Sequence, residues 1–346
     1  MIPMATAASA CSTKVDQSAD SKPAAWPVEP RRVTIAIEGW NAANLQRRDV
    51  FRRALDSLRE QTFPVLGCEI LVIVDANAQG DFRWIEDILP GARILRLDAF
   101  TYYRCKNQAM RQADGDYLVL ADSDVEYDPR WLEHLLGAFA PGVDIVAGRT
   151  RYEPGLFSET MMVCDGGMFR GESGLTHGFF AHNVAMRAST YRHVRFDETL
   201  GKSGGGAVEQ LRDLLHQRGI RTWFCSEACA RHHYPGFLKT RLRLGAYRYR
   251  TLRMFPEMRG AWLARVPLAG PVLVTGGALA RAWVRAVRQR RFLPGGAARL
   301  PVFLVTVACV ETVDLLGACA YAWAPDIVQS RVDWFDVPMD TRAPSS

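Results

Sequence analysis

The sequence predicts an α/β fold, a sheet flanked by helices, followed by a C-terminal helical region of different character. Three observations carry this. Apolar runs of strand length alternate with amphipathic stretches of helical length. The runs are apolar almost without a break, as strands buried on both faces are. The composition, 48% hydrophobic and 23% charged over 346 residues, supplies a large core. Strands of this kind imply a parallel sheet covered by helices and joined by right-handed crossovers. In such sheets ligands lie beyond the carboxyl ends of the strands.

Residues 1–31, rich in Ala, Ser, Lys, Asp and Pro without periodicity, are expected to form a mobile tail. Val33 to Ile37 (VTIAI) predicts the first strand, and Arg47 to Gln61 an amphipathic helix. Glu69 to Val74 (EILVIV) is the second strand, Arg93 to Leu97 the third, Lys106 to Ala113 a helix, Tyr117 to Ala121 (YLVLA) the fourth strand and Pro129 to Phe139 a further helix. A strand over TWFCSEACAR follows later in the chain. The domain expected from this pattern covers residues 32–236, a helical region 237–325, and a C-terminal tail 326–346.

The eight cysteines are spread along the chain without a paired framework, and no apolar leader is apparent, so a reducing, cytoplasmic side is expected. Cys225, Cys229, His232 and His233 lack the spacing of a zinc finger; on a strand the two cysteines share a face and fill core. Neither a P-loop nor a G-x-G-x-x-G follows any strand.

Asp122-Ser123-Asp124 follows YLVLA directly. Carboxylates on alternate residues at a strand end can point to one side and form a hard oxygen site for Mg²⁺ or Mn²⁺. Isolated copies of this pattern are common in turns and caps. Here it joins an ordered series: VTIAIEGWN, FRRALDSLREQTFP, EILVIVDANAQGD, RCKNQAMRQADGDYLVLADSDVEYDPRWLEHLL, GFFAHNVAMRASTYRHVRFDETLG and RGIRTWFCSEACARHHYP. From Val33 to about Arg250 this series resembles the family 2 glycosyltransferases, inverting enzymes of the GT-A fold, with Glu38 standing where that family often has Pro.

The resemblance implies a GT-A-like nucleotide-binding sheet and a role for each matching position. Asp75 would accept a hydrogen bond from the nucleotide, with a turn cap as its ordinary alternative. Asp122 would face the ribose or a metal-bound water, and Asp124 would hold Mn²⁺ or Mg²⁺ on the diphosphate. His182 and Asn183 would both touch the donor sugar, with a capping role as the alternative for Asn183. His232 and His233 would offer a further metal ligand, or sit in an exposed turn. An inverting transfer needs a base, which the family takes from a Glu-Asp pair; Ala207-Val208 occupies that place here. The nearest carboxylate is Glu209, whose alternative is an ordinary first-turn helix Glu, with Asp213 one turn on.

Between Arg231 and Leu300 stand fifteen Lys and Arg against one acid, Glu257, while the rest of the chain is net acidic. Phe237 to Met254 interleaves Arg with Leu and Tyr at helical spacing, as a helix in a headgroup layer does, or one simply packed on a core. Val266 to Ala280 is uncharged, and Leu300 to Trp323 is apolar except for a few Thr, Glu311 and Asp314. With RAWVRAVRQRRF between them these runs predict a hairpin attached to the cytoplasmic face of the inner membrane. Glu311 and Asp314, three apart, share a helix face and are expected to pair with those arginines.

The expected activity is therefore an inverting, metal-dependent transfer from a nucleotide sugar, a UDP-sugar by preference, to a lipid-linked or membrane-held glycan hydroxyl. The alternative is a non-catalytic nucleotide-sugar-binding or scaffold protein of the same fold. A nucleic-acid partner is not expected, because the arginines flank apolar runs.

Overall fold

A computed structural model describes residues 28–42, 47–78, 80–164, 171–198, 206–233, 236–256, 258 and 260–331. The expected tails therefore lie largely outside the described residues. Strand β1 (Val33–Glu38) leads to helix α1 (Arg48–Arg59), β2 (Glu69–Asp75), α2 (Arg83–Ile88), β3 (Arg93–Leu97), α3 (Tyr102–Gln112) and β4 (Tyr117–Asp122). β5 (Val125–Tyr127), α4 (Trp131–Gly137), β6 (Ile145–Tyr152), α5 (Leu156–Cys164), β7 (Gly174–Thr176), β8 (Asn183–Arg187), α6 (Ala188–Tyr191), α7 (Gly206–Gln217) and β9 (Thr222–His232) complete the sheet domain. α8 (Phe237–Met254), α9 (Ala261–Ala264), α10 (Gly270–Arg288), α11 (Leu300–Trp323) and α12 (Pro325–Arg331) follow.

Among the described residues nine strands make one sheet, ordered β3-β2-β1-β4-β8-β6-β9-β5 with β7 against β9. The first half is parallel as expected, β1 pairing with β2 and β4 and β2 with β3. The second half corrects the expectation of a parallel sheet. β8 runs antiparallel to both β4 and β6, and β9 is parallel to β6 but antiparallel to β5 and β7. The sheet is mixed, and it remains buried on both faces.

Strand alternation divides the core. Val33, Ile35 and Ile37 face Phe51, Leu55, Ile85, Trp131 and Leu135 from α1, α2 and α4. Ala36, Leu71, Ile73 and Leu118 face Tyr103, Ala109, Tyr191, Leu211 and Leu215 from α3, α6 and α7. In α7 Val208, Leu211 and Leu215 are buried, at the 3–4 spacing of a stripe that seats the helix on the sheet.

The C-terminal helices pack on this domain through α5, where Thr160 Oγ1 lies 2.8 Å from Thr306 Oγ1 of α11. α8 and α11 approach closely. A Cβ on Gly245 would meet the Asp314 backbone and one on Gly317 the Leu242 carbonyl, so both positions exclude side chains. That approach settles the partners of the two acids in α11. Arg241 Nε and Nη2 donate to Asp314 at 2.8 and 2.5 Å, with both side chains fully buried. Arg248 Nη1 donates to Glu311 at 3.0 Å and lies 3.2 Å from Asp314. The expectation that Glu311 and Asp314 pair with the arginines of residues 281–291 is corrected: helix α8, far away in sequence, holds them.

A buried ion pair is costly to break from one side, because the remaining charge has neither water nor partner. Arg241→Met is expected to destabilise the protein by about 3–5 kcal/mol, while Arg241→Met combined with Asp314→Leu restores most of the loss. Denaturant unfolding of both variants checks this.

Candidate active site

The site is assembled by strand register. β1 and β4 run parallel with Glu38 opposite Asp122, each the last residue of its strand and each 1% exposed. The chain then turns through Ser123 and Asp124 into β5, whose Val125 pairs with His232 of β9, and this sets Asp124 beside His232. Oxygen atoms of Glu38, Asp122 and Asp124 lie within 4.8 Å of one another. The group stands at the carboxyl ends of β1 and β4, where α/β sheets hold ligands.

Each carboxylate has distinct company. Glu38 Oε1 accepts hydrogen bonds from Ser123 Oγ (2.9 Å) and the Ser123 amide (3.3 Å), and Oε2 accepts one from the Trp40 amide (3.0 Å). Asn41 Nδ2 donates to Ser123 Oγ at 2.7 Å and ties the same turn from the other side. Asp122 Oδ1 accepts from the buried Lys106 ammonium, and Oδ2 accepts from Tyr102 Oη at 2.8 Å. Lys106 Nζ also donates to the Ala121 carbonyl at 2.6 Å, and the Asp122 amide donates to Tyr127 Oη at 3.0 Å. Burial and the neighbouring Asp122 charge push the Tyr102 and Tyr127 phenols well above their ordinary value, so both remain protonated donors. Asp124 meets Arg47 Nη2 at 3.6 Å and His232 Nε2 at 3.3 Å, both longer than charge-assisted hydrogen bonds.

Three oxygen donors of this hardness fit Mg²⁺ or Mn²⁺ better than a thiolate-seeking ion. Among the described residues this is the one cluster of carboxylate, His or Cys groups close enough to share an ion. The two cysteines of β9 flank a register shift opposite Gly148 and Arg149, and each is buried.

The other predicted residues divide. Asp75, at the end of β2, accepts from the Asn77 amide at 2.9 Å, which is the turn cap named as its alternative. Asn183 is fully buried in β8, where its Oδ1 accepts from Trp131 Nε1 at 2.7 Å and its Nδ2 donates to Thr150 Oγ1 at 3.3 Å. Both ends of its amide are thus engaged in the core. His233 turns its ring to Glu126, at 2.8 Å, and to Glu153, not to the acidic group. Glu209 and Asp213 lie in α7, and their side chains are outside the described residues.

Glu38, Lys106 and Tyr102 escaped the sequence reading as site residues. Glu38 ends a buried strand with a charge, which was the available signal. Lys106 and Tyr102 are four residues apart and so share a face of α3 directed at Asp122. His182, expected beside Asn183 at the donor sugar, has its Nε2 3.0 Å from Thr150 Oγ1 and its ring stacked on Phe180 (centroids 5.2 Å, 9°), 5.0 Å from the His232 ring. Burial, reinforced by His232, pushes its pKa down to about 3, so the ring is neutral.

Comparison with known proteins agrees with this geometry. Residues 43–198 match the model of glycosyl transferase family 2. The mannosyltransferase PcManGT from Pyrobaculum calidifontis, in complex with GDP-Man and Mn²⁺, superposes at a TM-score of 0.53 and 17% identity over 88% of this chain and 92% of its own. TarS 1-349 of S. aureus in complex with UDP-GlcNAc is a looser match, with a TM-score of 0.46 and 13% identity over 84% of this chain and 92% of its own. No curated protein matches the sequence. The family resemblance and the GT-A-like sheet read from the sequence are borne out.

Glu38→Gln is expected to weaken Mn²⁺ binding by roughly 10–100-fold, the usual effect of disturbing groups around an ion; the loss of free Mn²⁺ signal in an electron paramagnetic resonance titration measures it. A second expectation concerns acid. An unfolded His binds a proton near pH 6.5 and His182 in the fold only near 3, so the unfolded state takes up the proton first and stability falls as pH drops through that window. Replacing His182 by Asn should flatten that part of the urea-midpoint profile against pH.

Proposed function

We propose that this chain is an inverting glycosyltransferase that moves a sugar from a nucleotide-sugar donor to a hydroxyl acceptor held at a membrane. The observation that carries the reading is the buried Glu38–Asp122–Asp124 group at the strand ends, with Asp122 and Asp124 inside the stretch that matches glycosyl transferase family 2. The PcManGT complex, with its GDP-Man and Mn²⁺, supports a nucleoside-diphosphate sugar and a divalent ion on a shared fold. UDP- and GDP-sugars are both candidate donors.

Asp124, with Glu38 and Asp122 beside it, would hold the ion. Bound there, Mn²⁺ or Mg²⁺ supplies positive charge for the diphosphate that leaves as the glycosidic bond breaks. Lys106 and Tyr102 fix Asp122 in place, and Glu38 fixes the Ser123 turn, so the acidic edge is organised before a ligand arrives. Asp75, half-buried at the next strand end, is offered for the nucleotide. His232 adds an imidazole next to Asp124. The acceptor proton is assigned to Glu209, with Asp213 one turn further along the same helix.

The basic residues between Arg231 and Leu300 and the apolar helices α10 and α11 support a membrane-held acceptor, a lipid or a lipid-linked glycan, at the cytoplasmic face. A protein that binds the nucleotide sugar without turnover is the alternative, favoured by Ala207-Val208 in place of Glu-Asp.

The two are separated by incubating the purified protein with UDP-GlcNAc, UDP-Glc or GDP-Man and Mn²⁺, and measuring released nucleoside diphosphate. Metal-dependent release is expected, and Asp124→Ala is expected to abolish it while leaving the fold intact; tight binding without release points to the alternative. Glu209→Gln keeps size but not proton acceptance, so kcat is expected to fall by about 10² or more with KM nearly unchanged. The rate of the parent enzyme should rise with pH through one ionisation, and this variant should lose that limb.

A further inference from the structure

We infer that helices α10 and α11 lie along the surface of an anionic lipid layer, apolar stripes down, and that neither crosses it. This rests on the membrane reading above and specifies its geometry.

By length and composition, residues 297–323 form a helix capable of crossing a membrane. Its packing forbids that use. A crossing helix carries its neighbours with it, and α11 is locked to α8 at mid-length by the buried Arg241–Asp314 pair and by Arg248 on Glu311. The close approach at Gly245 and Gly317 leaves no room for lipid between the two helices. If α11 spanned the hydrocarbon, α8 would enter it too. With α8 would come Lys239, Arg243, Arg248 and Arg253, none of them buried, and each cation adds to the cost of insertion. α8 is also joined to β9, which carries His232 beside Asp124, by a connection of four residues. It belongs to the globular domain.

The side of α11 turned from α8 has the opposite character. Val302, Val305, Cys309, Leu316 and Trp323 are exposed, at spacings of three, four or seven, and so form one stripe along the helix. On α10 Val272, Leu273, Trp283, Val284 and Val287 are exposed in the same manner. Trp283 Nε1 donates to the Leu304 carbonyl at 2.9 Å, which brings the two stripes together. Leu268, 97% exposed, and Trp262 extend the apolar surface ahead of α10. A patch this long has an occupant.

Charge selects the occupant. Arg288, Arg290 and Arg291 are exposed at the turn end of this hairpin and Arg281 two turns before it on α10, and the segment from Arg231 to Leu300 holds one acid. An apolar face rimmed by arginine matches an anionic headgroup layer, with the side chains of the stripes reaching the acyl boundary.

The test uses the full-length protein and preformed vesicles of phosphatidylcholine alone or with 30% phosphatidylglycerol. Sedimentation is expected to show binding at least tenfold tighter to the anionic vesicles and weakened by 0.5 M salt. Native Cys309 should react with a bulky maleimide in solution and become protected on vesicles, with labelling located by peptide mass. In an Asp326→Cys variant, the new thiol just past α11 should react on intact vesicles without lysis. Val305→Asp with Leu316→Asp should cut vesicle binding at least tenfold while leaving the melting temperature and nucleoside diphosphate release unchanged. Residue 326 protected until lysis overturns the in-plane geometry and leaves membrane attachment standing. Equal binding to neutral vesicles, no binding, or a Cys309 already protected in a two-chain species in solution overturns the lipid assignment. Because sugar-nucleotide turnover is measured without vesicles, its failure is a separate result that bears on the transferase reading alone.

Discussion

The parallel register between β1 and β4 is the constraint from which the site follows. It places the last residue of each strand side by side, and both are acids, Glu38 and Asp122. Buried like charges raise one another's energy, and burial disfavours the ionised form of each. The protein answers with cations and donors aimed from other elements: Lys106 and Tyr102 from α3 onto Asp122, the Ser123 and Trp40 amides onto Glu38, and Arg47 towards Asp124. Of the two cationic neighbours, Lys106 is fully buried and Arg47 stands at 3.6 Å. Three carboxylates against these two leave negative charge concentrated at the strand ends, the condition a divalent ion is suited to relieve. His182, close by but held neutral, adds no positive charge to that balance.

The parts of the fold legible in the sequence were those with a local signature. Strands β1, β2 and β4 are six or seven residues long and largely apolar, and the helices between the strands carry a period, so the alternation survives a reading without contacts. The second half of the sheet was not legible for a physical reason. A strand buried on both faces is apolar whether its neighbour is parallel or antiparallel, and β5 and β7, at three residues, are too short to show any period. The Asp122-Ser123-Asp124 turn was found because it follows a strand directly. Glu38 was visible only as an odd residue in a strand, since its meaning arises from a pairing 84 positions away. Asn183 shows the same limit from the other side. Polar residues near a strand start suggest a ligand, but its amide fills a hydrogen-bonding gap between Trp131 and Thr150, with Gly148 packed against it.

The same distinction governs the C-terminal helices. Hydropathy identified α11 but could not say what surrounds it. Sequence proximity favoured the arginines of α10 and the following turn as partners for Glu311 and Asp314, whereas three-dimensional proximity is decided by where backbones can meet. Gly245 and Gly317 lower the separation between α8 and α11, and the arginines one turn to either side of Gly245, at 241 and 248, then reach the acids.

Replacing a buried ion pair by apolar side chains of equal volume often costs little stability, so the value of the Arg241–Asp314 pair lies in register. An apolar contact alone would specify the register of α8 against α11 less sharply, because Leu recurs along both helices. With the pair present, a slip leaves two charges buried without partners, and the slipped arrangement is excluded. Since α8 follows β9 after four residues, that fixed register also fixes where the apolar hairpin stands relative to His232 and Asp124. The acidic edge and the exposed stripes of α10 and α11 are thereby held in one geometry. An acceptor anchored in a surface beneath those stripes would meet the site at a set height, without any segment of the chain having to pass through the layer.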